Sequence, residues 1–149
     1  MITVRPIESS DLEAVLALGR VMHDECTTTF PESEPERIAA SIGMFRQPHA
    51  FGRLAWDRGT AIGVMTAFAG PWCFSSAIRA AVDILFVTPE QRRGGAARAL
   101  LAAFENWAKA MGASHLILGT TTGIDAERTA VFFERYGYCR VGTIHMKAV

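Results

Sequence analysis

The run from Ala80 to Val87 is apolar except at Asp83, and a helical pattern begins only a few residues later. Such a run reads as a central strand buried on both faces. The helix spans about Gly95 to Met111. Ala97, Leu100, Leu101, Phe104, Trp107 and Met111 form its apolar face, and Gly112 is the expected stop. A buried strand that passes this quickly into an amphipathic helix needs a sheet with helices packed on it.

The remaining segments fill in that plan. Ile2 to Pro6 alternates as a short strand, and Ser10 with Glu13 has capping-box spacing for a first helix. Leu12, Val15, Leu16 and Met22 give that helix its apolar face. A second helix runs from about Pro35 to Phe45, closed by Pro48. Ala50–Trp56 and Thr60–Ala69 are strands joined by the turn Asp57-Arg58-Gly59. Gly70 to Ser76 reads as a loop carrying the aromatics Trp72 and Phe74. After the long helix come another buried strand at Ser114–Leu118, a helix at Asp125–Tyr136 ending at Gly137, and a last strand at Tyr138–Met146. The order is β-α-α-β-β-β-α-β-α-β in a single domain over residues 1–149. The fold class is mixed α/β (α+β), a mainly antiparallel central sheet flanked by helices.

Composition narrows the function classes. Fifteen basic and fifteen acidic residues balance to a formal charge of zero, which argues against nucleic acid or an anionic membrane as partner. Cys26, Cys73 and Cys139 form neither a disulfide framework nor a Cys-x-x-Cys metal motif, so no metal is expected. The start Met1-Ile2-Thr3-Val4-Arg5-Pro6 lacks the pattern of a secretion signal, and no apolar stretch is long enough for a membrane helix. These features point to a reducing, cytoplasmic setting.

The chemistry-bearing segment is Asp83-Ile84-Leu85-Phe86-Val87-Thr88-Pro89-Glu90-Gln91-Arg92-Arg93-Gly94-Gly95-Ala96-Ala97. Free backbone N–H groups at a helix N-terminus attract anions, and the helix dipole helps. Gly94 and Gly95 let a phosphate reach the backbone, and Arg92 and Arg93 can add charge-assisted hydrogen bonds. The segment reads as a pyrophosphate cradle. It is neither a Walker loop, since Gly-Lys-[Ser/Thr] is missing, nor a dinucleotide fingerprint.

Gln91-x-x-Gly94-x-Ala96, following Leu85-Phe86-Val87-Thr88-Pro89-Glu90, resembles the cofactor segment of the GNAT superfamily of N-acetyltransferases. Phe132-Phe133-Glu134-Arg135-Tyr136-Gly137-Tyr138 resembles that family's C-terminal pattern, and the element order agrees along the chain. The resemblance implies a GNAT-like fold and acetyl-CoA as cosubstrate. It places the pantetheine along Leu85, Phe86 and Val87. It places the pyrophosphate on Gln91 and the backbone N–H groups of Arg92, Arg93, Gly94, Gly95 and Ala96. Phe132 and Phe133 then flank the thiol end. The implied reaction is direct acyl transfer to a primary amine of a small molecule or protein.

The match departs at two positions. Phe133 stands where the family usually has a tyrosine that protonates the departing thiolate, and Ala126 stands in place of a frequent asparagine. Tyr136 and Tyr138 are the nearby substitutes. An alkylamine has a pKa near ~10.4 and must lose a proton before attack. Asp83, alone in an apolar strand, is the first candidate base. His23 and Glu25, at the end of the first helix, are second choices for the base and candidates for contact with the acceptor, and Trp72 and Phe74 could wall its pocket. The Val87 N–H is the candidate oxyanion donor. The alternatives are an acyl-CoA-binding module with little catalysis and a toxin-like acetyltransferase acting on aminoacyl-tRNA. A homodimer paired through the last strand is also compatible.

Overall fold

The computed structural model describes residues 1–149. Its strands are β1 (Ile2–Pro6), β2 (Ala50–Asp57), β3 (Thr60–Trp72), β4 (Ser75–Val87) and β5 (Ala113–Ile117). Its helices are α1 (Leu12–Glu25), α2 (Pro35–Met44), α3 (Ala96–Ala110) and α4 (Ala126–Arg135), with 3₁₀ turns at Ser9–Asp11 and Pro89–Gln91. The strands lie in the order β1-β2-β3-β4-β5. The first four pair antiparallel, and β5 joins β4 in parallel. The parallel step is made by α3, as a crossover requires.

Side-chain alternation gives the sheet two apolar faces. One carries Phe51, Ala55 and Met65 and is covered by Leu100, Leu101 and Phe104 of α3. The other carries Leu54, Val64 and Phe86 and is covered by Leu18 of α1 and Ile42 of α2. Phe51, Leu54, Met65, Leu100 and Phe104 are fully buried. Fully burying side chains of this kind contributes about 1.5–3 kcal/mol each, which fixes both helix layers on the sheet.

Three readings of the sequence change. The expected loop Gly70–Ser76 is strand on both sides of a two-residue tip, Cys73-Phe74. Pro71 is tolerated in β3 because β2 ends its pairing at Phe68, leaving that stretch with a partner on one side only. At the first helix the expected Ser10–Glu13 box gives way to Asp11. Its carboxylate accepts the Glu8 N–H at 2.8 Å and both Arg5 terminal nitrogens at 2.8 and 2.7 Å. Finally, Tyr138–Met146 forms no strand, and β5 has a partner on one side only. Arg140 is held by Glu127 and Glu134, which fastens the tail to α4.

Candidate active site

The sheet splits at its parallel edge. β4 pairs with β5 only from Ile78 to Ala81. Just beyond, Ile84 pairs with Thr66 but Val82 pairs with Ala67, so Asp83 is the extra residue of a β-bulge. A bulge bends its strand and ends pairing. From Val82 onward β4 diverges from β5 and leaves a slot beside its last residues. The Thr88 N–H donates to the Ile62 carbonyl at 2.9 Å. By the alternation of an antiparallel ladder, the N–H and C=O of Val87, and of Leu85 before it, point away from β3 and into the slot.

The slot opens into a cavity of about 930 Å³. β4 lines it from Asp83 to Val87, α1 with Met22 and His23, Cys26 just past the end of α1, and α4 with Val131, Phe132 and Phe133. The segment after β5 adds Gly119 to Thr122. A strap closes one side. The Thr27 N–H donates to the Thr122 carbonyl at 3.0 Å, and the Thr28 hydroxyl to the Thr121 carbonyl at 2.9 Å. Gly123 sits directly beneath, where a Cβ would lie 1.8 Å from Thr27 Oγ1.

At the foot of the slot, α3 begins without a side-chain cap. Gly95 is its N-cap at φ 91°, a left-handed conformation that a glycine adopts without strain. The N–H groups of Arg93, Gly95, Ala96, Ala97 and Arg98 meet no protein acceptor; the first helical bond runs from Ala99 to Gly95. Two expected donors are used within the turn, since Gly94 donates to the Gln91 carbonyl at 3.0 Å and Arg92 to Pro89 at 3.5 Å. The Gln91 side chain lies over Gly94. Arg93 and Arg98 are exposed beside the bare N-terminus.

Arg92 behaves differently from the sequence expectation. Its side chain turns inward across the ring of Phe86, donates from Nε to the Val87 carbonyl at 3.1 Å, and clamps the Glu25 carboxylate with both terminal nitrogens. Arg92 thus joins the end of α1 to the end of β4. Glu25 is bound to Arg92 and does not line the cavity, whereas His23 does.

The remaining candidates divide by location. Phe133 is buried and lines the cavity with Phe132. Tyr136 and Tyr138 do not. Tyr136 is 41% exposed and packs on Phe132. Tyr138 donates its hydroxyl to Glu105 at 2.9 Å, and burial together with that carboxylate pushes its pKa up. Trp72 and Phe74 sit together at the β3–β4 tip, Trp72 against Arg79 and His115, and neither lines the cavity. Cys26, Phe30, Ile84 and Ile124 line it without having been singled out from the sequence. Burial, and then the neighbouring Glu25, raise the Cys26 pKa, which keeps the thiol protonated at neutral pH. No group of three or more His, Cys, Asp or Glu side chains is placed to hold a metal ion.

A sheet split at its parallel edge sets free strand-edge groups beside a bare helix N-terminus, whose N–H groups favour an anion. The chain matches the acetyltransferase (GNAT) family over residues 18–138, and it belongs to that family. Its fold resembles the aminoglycoside 6'-N-acetyltransferase AAC(6')-Ih of Acinetobacter baumannii, at 22% identity and TM-score 0.76, covering 100% of this chain and 99% of that one. Glucosamine-6-phosphate N-acetyltransferase from Arabidopsis thaliana is similar at 13% identity and TM-score 0.79, covering 99% and 98%. AAC(6')-Iy in complex with the bisubstrate analogue CoA-S-monomethyl-acetylneamine is similar at 18% identity and TM-score 0.78, covering 100% and 98%. At the sequence level, no curated protein matches the chain.

Proposed function

We propose that this chain transfers an acetyl group from acetyl-CoA directly to a primary amine. The observation that carries the reading is the slot beside Val87, with five unpartnered N–H groups at its foot. The residues present fit the cosubstrate. The backbone of Leu85 and the Val87 N–H offer a strand edge to an amide-bearing arm, and the N–H groups of Arg93, Gly95, Ala96, Ala97 and Arg98 offer donors to a pyrophosphate. Phe132 and Phe133 give the thiol end an apolar flank.

Each residue then has a role. The Val87 N–H polarises the thioester carbonyl, where a well-placed oxyanion donor is worth about 10²–10³ in rate. Asp83, brought to the cavity by the bulge, takes a proton from the incoming ammonium. His23 is the second acceptor-side candidate. The amine nitrogen bonds to the carbonyl carbon, the C–S bond breaks, and CoA leaves as thiolate to be protonated by solvent.

The structural relatives include enzymes for aminoglycosides and for glucosamine 6-phosphate, so an amine acceptor is consistent with the fold. One observation favours weak turnover: Phe133 brings no hydroxyl to the thiol end, and Tyr136 and Tyr138 lie outside the cavity. Thiol release from acetyl-CoA, measured with the purified chain over an amine panel, separates the two readings. Amine-dependent CoA release above buffer supports transfer. Tight acetyl-CoA binding without release with any amine would overturn it in favour of a binding module.

A further inference from the structure

Arg92 and Glu25 form a pair between the two sides of the cavity, and neither has a part in the transfer described above. The 3₁₀ turn Pro89–Gln91 follows β4 closely, so the next side chain folds back over the end of that strand. The Arg92 guanidinium carbon lies 5.8 Å from the centre of the Phe86 ring. All three guanidinium nitrogens are engaged. Nε donates to the Val87 carbonyl at 3.1 Å, and the two terminal nitrogens donate to the two carboxylate oxygens of Glu25. Both side chains are 28% exposed. A forked contact of this kind fixes orientation as well as distance.

The groups held at the two ends of the pair are specific. The Val87 carbonyl and the Thr88 N–H belong to one peptide unit. The N–H donates to the Ile62 carbonyl of β3 at 2.9 Å, while the carbonyl takes Arg92 on the opposite side. That plane is pinned from both ends, and turning it would break both bonds. The peptide unit before it carries the Val87 N–H, the proposed oxyanion donor. At the other end, Glu25 is the last residue of α1. Just after it, Thr27 and Thr28 bond to the Thr122 and Thr121 carbonyls and close the strap. We infer that Arg92 is a positioning residue, with Glu25 as its partner: the pair holds the Val87 peptide and the strap in register for acetyl transfer and does not hold phosphate. The inference rests on the proposed transfer and adds to it the device that joins its acyl side to its acceptor side. Misplacing a reacting group by about 1 Å costs about 10²-fold in rate, so a positioning pair acts on kcat. A phosphate ligand acts on cosubstrate affinity instead.

The test uses Glu25→Gln, Arg92→Lys and the double variant in the full-length chain. Glu25→Gln removes the carboxylate charge at nearly constant size. Arg92→Lys keeps the positive charge and loses the fork. With the amine that turns over fastest, each single variant should lower kcat by about ten- to a hundredfold. Each should leave the acetyl-CoA Kd, read by calorimetry, within about twofold. The double variant should be no more than about threefold slower than the slower single one, because the two residues act as one unit. An acetyl-CoA Kd raised about tenfold in Arg92→Lys, with Glu25→Gln binding as the natural chain does, would make Arg92 a phosphate ligand and overturn the inference. Full kcat in Glu25→Gln overturns it too, as do losses that multiply in the double variant; acetyl transfer stands in each case. Hydrogen exchange on the chain without ligand tests the pair apart from turnover. The Thr27 and Thr88 amides, bonded to Thr122 and Ile62, should exchange faster in both single variants, and the Ala99 amide, bonded to Gly95, should not change. Unaltered exchange at Thr27 and Thr88 overturns the inference even if no amine is acetylated.

Discussion

At the scale of single residues, the sequence singled out individual side chains but not their partners. Asp83 stood out as the one acid in an apolar strand, and it does reach the cavity. Arg92 was read as a phosphate ligand, yet it turns inward to Glu25, which is 67 positions away in the chain. A pair that distant leaves no local trace. Phe133 was visible as a departure, and its buried place on the cavity wall makes it testable. Phe133→Tyr should raise kcat by up to about 10²-fold where thiolate protonation limits the rate. An unchanged kcat in stopped-flow turnover would put the barrier at amine attack.

Asp11 carries a second prediction at this scale. The Arg5 guanidinium lowers its pKa, burial opposes that shift, and the Glu8 N–H adds to the lowering. A carboxylate with a folded pKa below its unfolded value contributes stability that is present above the unfolded value, near ~3.9. That contribution fades as pH falls through the folded pKa. Urea unfolding at pH 7 should show Asp11→Asn to be destabilised by about 1–3 kcal/mol. The gap to the natural chain should shrink at pH 3. A gap of equal size at both pH values would remove the ion pair from the explanation.

At the scale of elements, the strand–turn–helix from Asp83 to Ala97 was legible because its signals are local: an apolar run, two glycines and helical spacing. The bulge that splits β4 from β5 was not, since it exists only in the register between strands. Nor was the strap, whose hydrogen bonds join residues more than 90 positions apart. The final strand was misread for the opposite reason. Alternation in Tyr138–Met146 is a local signal, but Arg140 ties the segment to α4. The N-cap of α3 gives the test at this scale. Gly95→Val places a β-branched residue at φ 91°, which costs about 1–2 kcal/mol of stability. It also puts a side chain over the free N–H groups. Calorimetry should show acetyl-CoA binding weakened at least tenfold, well beyond any change in Arg93→Gln. Unchanged affinity in Gly95→Val would show that the phosphates bind elsewhere.

At the scale of the whole molecule, one sheet separates two apolar layers, and elements from both sides reach the slot. α3 and the sheet form one core, α1 and α2 with the other face form the second, and α4 covers the split edge. Each side of the cavity belongs to a different layer: β4 to the sheet, Met22 to α1, Phe132 to α4. A ligand held along the slot touches all of them, so its binding energy adds to folding stability. At 100 times its Kd, a ligand that binds only the folded chain stabilises it by about 2.7 kcal/mol. For a domain of this size each kcal/mol moves Tm by roughly 2–4 °C, so saturating acetyl-CoA should raise Tm by roughly 5–10 °C in scanning calorimetry. The shift should grow with the logarithm of ligand concentration. Because the strap and α1 close one side of the cavity, hydrogen exchange should slow at Thr27 and Thr122 as well as at the N-terminus of α3. Slowing at α3 alone would mean that the phosphates are held but the acyl end does not reach the cavity.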